Sequence, residues 1–131
     1  RLLAPAVLTA VTIDHVSSLL VEDRASAPKN VRVYGFAPCS TCHGLGFDPE
    51  SKRLLTEFMY DIQGDTSVQT FGIETVKSEE SHGGGSCSAV APSCETETNV
   101  VAAIRVEVVD NWGHPHYTCL YRVRAHGEID A

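Results

Sequence analysis

Short stretches of alternating apolar and polar residues, the pattern of a half-buried β-strand, recur along the chain. The clearest stretch, residues 100–109, places five apolar side chains on one face and two charged ones on the other: Val100, Ala102, Ile104, Val106 and Val108 against Arg105 and Glu107. Similar stretches occupy residues 1–16, 31–36, 54–60, 68–75 and 117–126, and turn residues separate them. We find no convincing helix and no internal repeat. About six short strands predict an all-β fold, a compact antiparallel β-sandwich in one domain.

The alternation also assigns faces in the first and last of these strands. In the first strand it places four residues on each face: Val7, Thr9, Val11 and Ile13 opposite Leu8, Ala10, Thr12 and Asp14. The last strand follows a turn containing Gly113 and Pro115, and here Tyr117 and Tyr121 share one face with Cys119 between them. Strand tyrosines usually lie in the core or at its rim, and a surface pocket is the alternative that the spacing leaves open.

Charge and hydropathy exclude several functions. The formal charge of −7 argues against a nucleic-acid groove, which needs clustered Lys and Arg. Arg122 and Arg124 are the only close basic pair on a predicted strand, and we interpret them as a solvated face. No apolar run is long enough for a membrane-spanning helix. The chain begins at Arg1 without a signal-peptide pattern, so we interpret it as a piece of a longer protein whose anchoring segments lie elsewhere.

Five cysteines in a chain of 131 residues favour an oxidising compartment, and the odd number leaves at least one thiol without a partner. Two pairs lie in loops at residues 37–52 and 78–98: Cys39 with Cys42, and Cys87 with Cys94. Each pair could close its own loop as a disulfide. Alternatively, four thiols could hold a structural zinc, with His43 or His82 replacing one of them. Four cysteines allow three connectivities, so the pairing remains open.

The sequence shows no arrangement typical of an enzyme. Ser26 and His15 are the nearest candidates for a nucleophile and its base, but Asp14 adjoins His15 on a strand and points to the opposite face. No Gly-x-Ser-x-Gly motif, P-loop or dinucleotide fingerprint is present. The histidines of the last turn and strand have no clustered carboxylate or thiol beside them, so we predict no metal site there: His114, His116 and His126. We therefore predict a protein without catalytic activity.

The stretch at residues 111–127 closely resembles the C-terminal signature of SUN domains, the KASH-binding modules of the nuclear envelope: it reads NWGHPHYTCLYRVRAHG. Four shorter segments fall in the order of that family: VTIDH at 11–15, ASAPK at 25–29, Tyr34-Gly35 and QTF at 69–71. The likeness thins out in two inserts, at residues 38–53 and 78–98. An ordered match through most of a chain is far more specific than one short motif.

The resemblance implies a β-sandwich set on a coiled-coil stalk and a homotrimer in the full-length protein. It implies a location on the lumenal side of the inner nuclear membrane, in the perinuclear space, or in the ER lumen. There SUN domains bind the C-terminal peptide of a KASH protein. The resulting LINC complex bridges the inner and outer nuclear membranes and couples the nucleus to the cytoskeleton. No nucleic acid is implied as a partner.

By the same resemblance, Ser26, Tyr117 and Tyr121 match residues that receive the free C-terminal carboxylate of the KASH peptide, and His15 matches a histidine near that pocket. Neutral hydroxyl groups can donate to a carboxylate without adding charge. A satisfied histidine at a strand end is the alternative for His15. Four residues are interpreted as shaping the turn rather than touching the peptide: Asn111, Trp112, Gly113 and Pro115.

In the complete family domain an upstream loop binds a monovalent cation and carries a cysteine that pairs with the match of Cys119. That loop, the peptide-clamping β-hairpin and the stalk would precede Arg1. We therefore expect Cys119 to be unpaired, no cofactor in this stretch, and membrane attachment only through segments outside it. The perinuclear compartment favours disulfides over zinc for the other cysteines: Cys39, Cys42, Cys87 and Cys94.

Two other functions stay open. SUN domains resemble galactose-binding β-sandwiches in architecture, so a carbohydrate-binding module of that type is the first alternative. Against it, the candidate aromatic residues lie in a strand beside a turn, and Trp112 is the only tryptophan. The second alternative is a structural module that keeps the SUN fold but has lost KASH binding.

Overall fold

Seven strands form two antiparallel sheets in the computed structural model, which describes residues 1–17, 23–64, 66–74 and 100–129. The strands are β1 (Ala6–Asp14), β2 (Asn30–Phe36), β3 (Arg53–Met59), β4 (Val68–Gly72), β5 (Val100–Val101), β6 (Ala103–Val108) and β7 (Arg122–Glu128). A short 3-10 helix covers Pro49–Ser51. No helix within these ranges is long and apolar enough to cross a membrane. The predicted all-β fold with two antiparallel sheets is confirmed.

Strand β1 lies at the centre of the first sheet and pairs with three others. β4 pairs with its second half, β7 with nearly its whole length and β5 with its first two residues. At the end of β1, Asp14 lies opposite Val68 on β4 and Arg122 on β7. In the second sheet β2 lies between β3 and β6. The end of β1 therefore lies between β4 and β7.

The faces of β1 differ from those that simple alternation predicts. The register against β7 shifts at Thr9, which is an extra residue and forms a β-bulge. After the bulge, Val11 and Ile13 point into the main core. The predicted common face for Val7, Thr9, Val11 and Ile13 is therefore wrong, because the bulge reverses the alternation. The buried residues before the bulge, Ala6 and Leu8, form a separate small cluster with Val101 of β5.

The main core lies between the two sheets. Val11 and Ile13 of β1 share one buried cluster with Val31 and Val33 of β2, and all four side chains are fully buried. Burying a side chain of this size contributes roughly 1.5–3 kcal/mol to stability. Half-buried aromatic residues surround the cluster: Phe58 and Phe71, whose rings stack with centroids 3.7 Å apart, and Trp112.

Most strands begin and end within a few residues of their predicted bounds, but two do not. The stretch predicted as one strand at residues 100–109 divides at Ala102 into β5 of the first sheet and β6 of the second. The last strand differs at its start. Predicted from Tyr117, it begins at Arg122. Residues 111–121 instead form a loop that pairs with the segment at residues 25–27, so several of its amides bond to that segment and not to a neighbouring strand. Three backbone bonds make this contact: Trp112 N to Ala27 O (3.2 Å), His114 N to Ala25 O (3.1 Å) and Cys119 N to Ser26 O (2.8 Å). The second insert lies outside the described residues.

Candidate functional site

Three segments meet where β1 ends: Asp14 and His15, the turn at residues 24–27, and the loop at residues 111–121. Backbone hydrogen bonds join them, including Tyr121 N to Asp14 O (3.1 Å) and Cys119 N to Ser26 O (2.8 Å). A further bond lies within the turn, from Ala27 N to Arg24 O (3.0 Å), and His15 N bonds to Ser67 O (3.0 Å) just before β4. The four residues that the sequence places at the site all lie on these segments: Ser26, His15, Tyr117 and Tyr121.

Among these four residues, His15 and Tyr121 are the pair in ring contact. The ring centroids of His15 and Tyr121 lie 5.4 Å apart, and Tyr121 is 64% exposed. Tyr117 packs on His114 instead, with centroids 3.8 Å apart. Ser26 is tied to the loop through its backbone carbonyl rather than its side chain. The site is therefore an open surface with a buried histidine at its base.

His15 is buried, at 5% exposure, yet neither Nδ1 nor Nε2 has a hydrogen-bond partner among the described residues. The rings of Tyr121 and Tyr60 lie beside it, at centroid distances of 5.4 and 6.2 Å. A buried polar group without a partner destabilises a fold by about 1–3 kcal/mol. Because no described residue bonds to them, both ring nitrogens are available to a polar ligand that reaches the base of this open surface.

Arg24 and Tyr60 also belong to this site, although sequence reasoning did not identify them. Burial lowers the pKa of His15, and the charge of Arg24 lowers it further. The Val16 backbone acts to raise this pKa, although it does not reach hydrogen-bond geometry with the ring. Burial raises the pKa of Tyr60, and Arg24 again acts to lower it. The Tyr60 hydroxyl donates to the Ser67 carbonyl at 2.6 Å. The charge of Arg24 therefore acts on both side chains.

The lowered pKa of His15 predicts that the domain loses stability as the pH falls below about 6.5. The unfolded chain takes up a proton at the ordinary pKa, whereas the folded chain resists it. Acid therefore favours unfolding until the pH reaches the lowered pKa of the folded state. Urea midpoints at about pH 7.5 and 5.5 should show the loss, and His15→Phe should reduce it. His116→Gln, at an exposed histidine, is the control. If the urea midpoint of His15→Phe fell between the two pH values as much as that of the wild type, the loss of stability would not come from His15.

Asp14 joins β1 to β7 beside this site. Its Oδ2 accepts from Arg122 (Nε at 2.9 Å and Nη2 at 2.8 Å), and its Oδ1 accepts from Nη2 of Arg124 at 3.0 Å. Burial raises the pKa of Asp14, but the hydrogen bonds and charges of Arg124 and Arg122 outweigh it, and the pKa is lowered overall. The two arginines thus keep Asp14 in its carboxylate form. Because Tyr121 directly precedes Arg122, this pairing also fixes Tyr121 next to His15.

A family model described as Sad1 / UNC-like C-terminal matches residues 1–129. The chain belongs to this family, the SUN domains. Over its full length it is 35% identical to SUN domain-containing protein 2 of Arabidopsis thaliana, of which it covers 24%. Over 97% of its length it is 32% identical to SUN domain-containing protein 3 of Homo sapiens, of which it covers 28%. It is also 28% identical, over 92% of its length, to sperm-associated antigen 4 protein of Mus musculus, of which it covers 21%. The chain thus spans about a quarter of the length of these relatives. The predicted family is confirmed.

In this SUN domain Trp112 anchors the loop that carries both candidate tyrosines. Its indole Nε1 donates to the carbonyl of Tyr60 at 2.8 Å, and its ring packs against the main core. The Nζ of Lys29 lies 4.8 Å from the ring centroid on the outer side, a cation–π contact. One side chain therefore connects the loop to the core and to the end of β3.

Asn111 closes the same loop on itself. Its Nδ2 donates to the carbonyls of His114 (3.0 Å) and Tyr117 (3.1 Å), and its Oδ1 accepts from the amide of Gly113 at 2.9 Å. Gly113 has a φ of 122°, a conformation that side chains rarely adopt. Pro115 is exposed at the tip. The backbone at Tyr117 is therefore fixed by contacts inside the loop.

The cysteines of this SUN domain differ in state. Cys39 and Cys42 form a disulfide in the first insert, so this pair closes its own loop and does not hold zinc. Cys119 carries a free thiol and is half-buried. Within the described ranges, no three His, Cys, Asp or Glu side chains are grouped closely enough to hold a metal ion. The remaining candidates lie outside the described residues: Cys87, Cys94 and His82.

Proposed function

We propose that this SUN domain binds the C-terminal peptide of a KASH protein in the perinuclear space. It would act as a non-enzymatic part of a LINC complex that joins the inner and outer nuclear membranes and couples the nucleus to the cytoskeleton. The observation that carries the proposal is the buried imidazole of His15, which has no hydrogen-bond partner among the described residues and lies beside the exposed ring of Tyr121. Membership of the family supports it.

The chemistry of the site suits a free C-terminal carboxylate. The hydroxyl groups of Ser26, Tyr117 and Tyr121 form no hydrogen bond with another described residue, so each is available to donate. A carboxylate leaves water unfavourably unless such donors replace its hydration. One ring nitrogen of His15 can donate in either tautomer. Arg24 is half-buried and its charge acts on that ring, so it adds a positive charge that attracts the carboxylate.

The proposal extends to the protein around this chain. Since the chain spans about a quarter of the length of its relatives, we place the coiled-coil stalk, the membrane anchor and the family's cation-binding loop in the rest of the protein. The full-length protein would form a homotrimer on the lumenal side of the inner nuclear membrane. The Cys39–Cys42 disulfide agrees with an oxidising lumen.

A synthetic KASH C-terminal peptide, as free acid and as C-terminal amide, tests the carboxylate site. We expect the free acid to bind at least about tenfold more tightly, since the amide loses its charge-assisted hydrogen bonds. Calorimetry should be run on this chain and on a version extended upstream through hairpin and stalk. Binding by the extended version alone would mean that the site needs its trimer. Equal affinity for acid and amide in both versions would contradict the proposal.

Matched variants separate the site from general effects on folding. Tyr121→Phe and Ser26→Ala each remove one hydroxyl, and Arg24→Gln removes the charge. All three should weaken binding of the free acid more than binding of the amide. Tyr34→Phe is the control, because Tyr34 lies on β2 and its ring contacts Lys52 rather than the site. Its affinity for both peptides should equal that of the wild type.

A further inference from the structure

The first insert forms a loop at the end of β2 whose tip carries the disulfide. Cys39 and Cys42 are half-buried, whereas Ser40, Thr41 and His43 around them are exposed. His43 has a φ of 49°, so the chain turns sharply just after the second cysteine. A thiol in solution can therefore approach the sulfur atoms without unfolding the sheet.

Contacts other than the disulfide hold the base of this loop. The amide of Asp48 donates to the carbonyl of Ala37 at 2.9 Å, and the amide of Ala37 donates to the hydroxyl of Ser51 at 2.8 Å. The ring centroids of Phe36 and Phe47 lie 5.4 Å apart across the loop. A disulfide stabilises more when it encloses more chain, and these cysteines are separated by only three positions. The loop therefore does not depend on this disulfide for its position.

The surroundings distinguish the two sulfur atoms. Sγ of Cys39 lies 3.7 Å from Oγ1 of Thr41. A disulfide sulfur carries no hydrogen, so the hydroxyl is the donor. The same hydroxyl would stabilise a thiolate at Cys39, and a more stable thiolate is the better leaving group in thiol–disulfide exchange. No donor of this kind contacts Cys42 from the described residues. The geometry therefore favours attack at Cys42 and departure of Cys39.

We propose that the Cys39–Cys42 disulfide is a thiol-exchange site that accepts two electrons from a dithiol of a partner polypeptide. One partner thiolate attacks Sγ of Cys42, the S–S bond breaks, a mixed disulfide forms, and Cys39 leaves as a thiolate that takes a proton from water. The partner's second thiolate then attacks the partner's other sulfur, the one bonded to Cys42 in the mixed disulfide. The partner becomes a disulfide, and Cys42 leaves as a thiolate and is protonated. None of these residues belongs to the peptide site, so the two proposals stand or fall separately.

Dithiothreitol and reduced glutathione test the proposal on the folded 131-residue chain. Trypsin cleavage after Arg32 and Lys52 gives a peptide that contains only Cys39 and Cys42, so mass spectrometry reports their state without interference from the other cysteines. We expect dithiothreitol to reduce this disulfide in the folded domain while the melting temperature stays nearly unchanged. We expect glutathione to leave its adduct on Cys42.

Two substitutions test the role of the hydroxyl. Thr41→Val removes it and should slow the attack by dithiothreitol about threefold, because the leaving thiolate loses its donor. Ser40→Ala removes the neighbouring exposed hydroxyl, which bonds to neither sulfur, and should react at the wild-type rate. Two results would overturn the inference: a disulfide that resists reduction until the domain unfolds, or a glutathione adduct mainly on Cys39.

Discussion

Trp112→Ala is expected to lower the free energy of unfolding by about 3 kcal/mol. The substitution removes a half-buried ring from the edge of the main core and leaves the carbonyl of Tyr60 without its indole donor. It also removes the surface over which Lys29 lies. Urea unfolding followed by circular dichroism measures the loss, since the only tryptophan is gone.

Trp112→Phe separates packing from hydrogen bonding. It keeps an aromatic ring against the core but cannot donate to Tyr60, so we expect a loss of about 1 kcal/mol. Because Trp112 anchors the loop that carries Tyr117, the alanine variant should also bind the free-acid KASH peptide more weakly at temperatures where it remains folded. If Trp112→Ala were as stable as the wild type, the indole would not anchor the loop as described.

Gly35→Ala is expected to destabilise the domain by about 2 kcal/mol, and the melting temperature should fall by roughly 8 °C. Gly35 is buried in β2, and a Cβ there would lie 2.6 Å from Cγ1 of Val101 and 3.0 Å from Cδ1 of Leu55. The added methyl group must therefore displace a fully buried valine at the contact between the two sheets. Thermal unfolding by circular dichroism measures the change.

The matched control for this substitution is Gly72→Ala. Gly72 also lies in a strand, β4, but it is exposed, and a Cβ there would meet no atom within 4 Å. Alanine should therefore be neutral or slightly stabilising, because it reduces the conformational freedom of the unfolded chain. Equal losses of stability at both positions would show that crowding at Gly35 is not the cause of the destabilisation.

Local periodicity was enough to predict the class of the fold, but not the details that depend on pairing. The stretch at residues 31–36 has the alternation of a strand, and β2 begins one residue before its predicted start. In β1 the sequence around Thr9 gives no sign of the bulge. Only the register against β7 reveals it. The stretch from Tyr117 alternates like a strand, yet its amide at Cys119 bonds to Ser26.

The candidate site could also be predicted from the sequence only in part. Ser26, Tyr117 and Tyr121 could be named from sequence because they lie in segments that resemble a known family. Arg24 and Tyr60 could not, because only folding brings the ring of Tyr60 and the charge of Arg24 to act on His15. The spacing of the cysteines suggested several pairings, and only coordinates could select Cys39 with Cys42.

The pairing of β1 with β7 also sets the order in which the domain can be completed during synthesis. Asp14 bonds to Arg122, which lies 108 positions later in the chain. A ribosome must therefore translate nearly the whole domain before β1 gains that neighbour, and until then the strand exposes an unpaired edge with apolar side chains. Pairings between such distant segments also fold slowly. The nascent chain is thus expected to need protection by chaperones during the interval between the emergence of its first strand and its last.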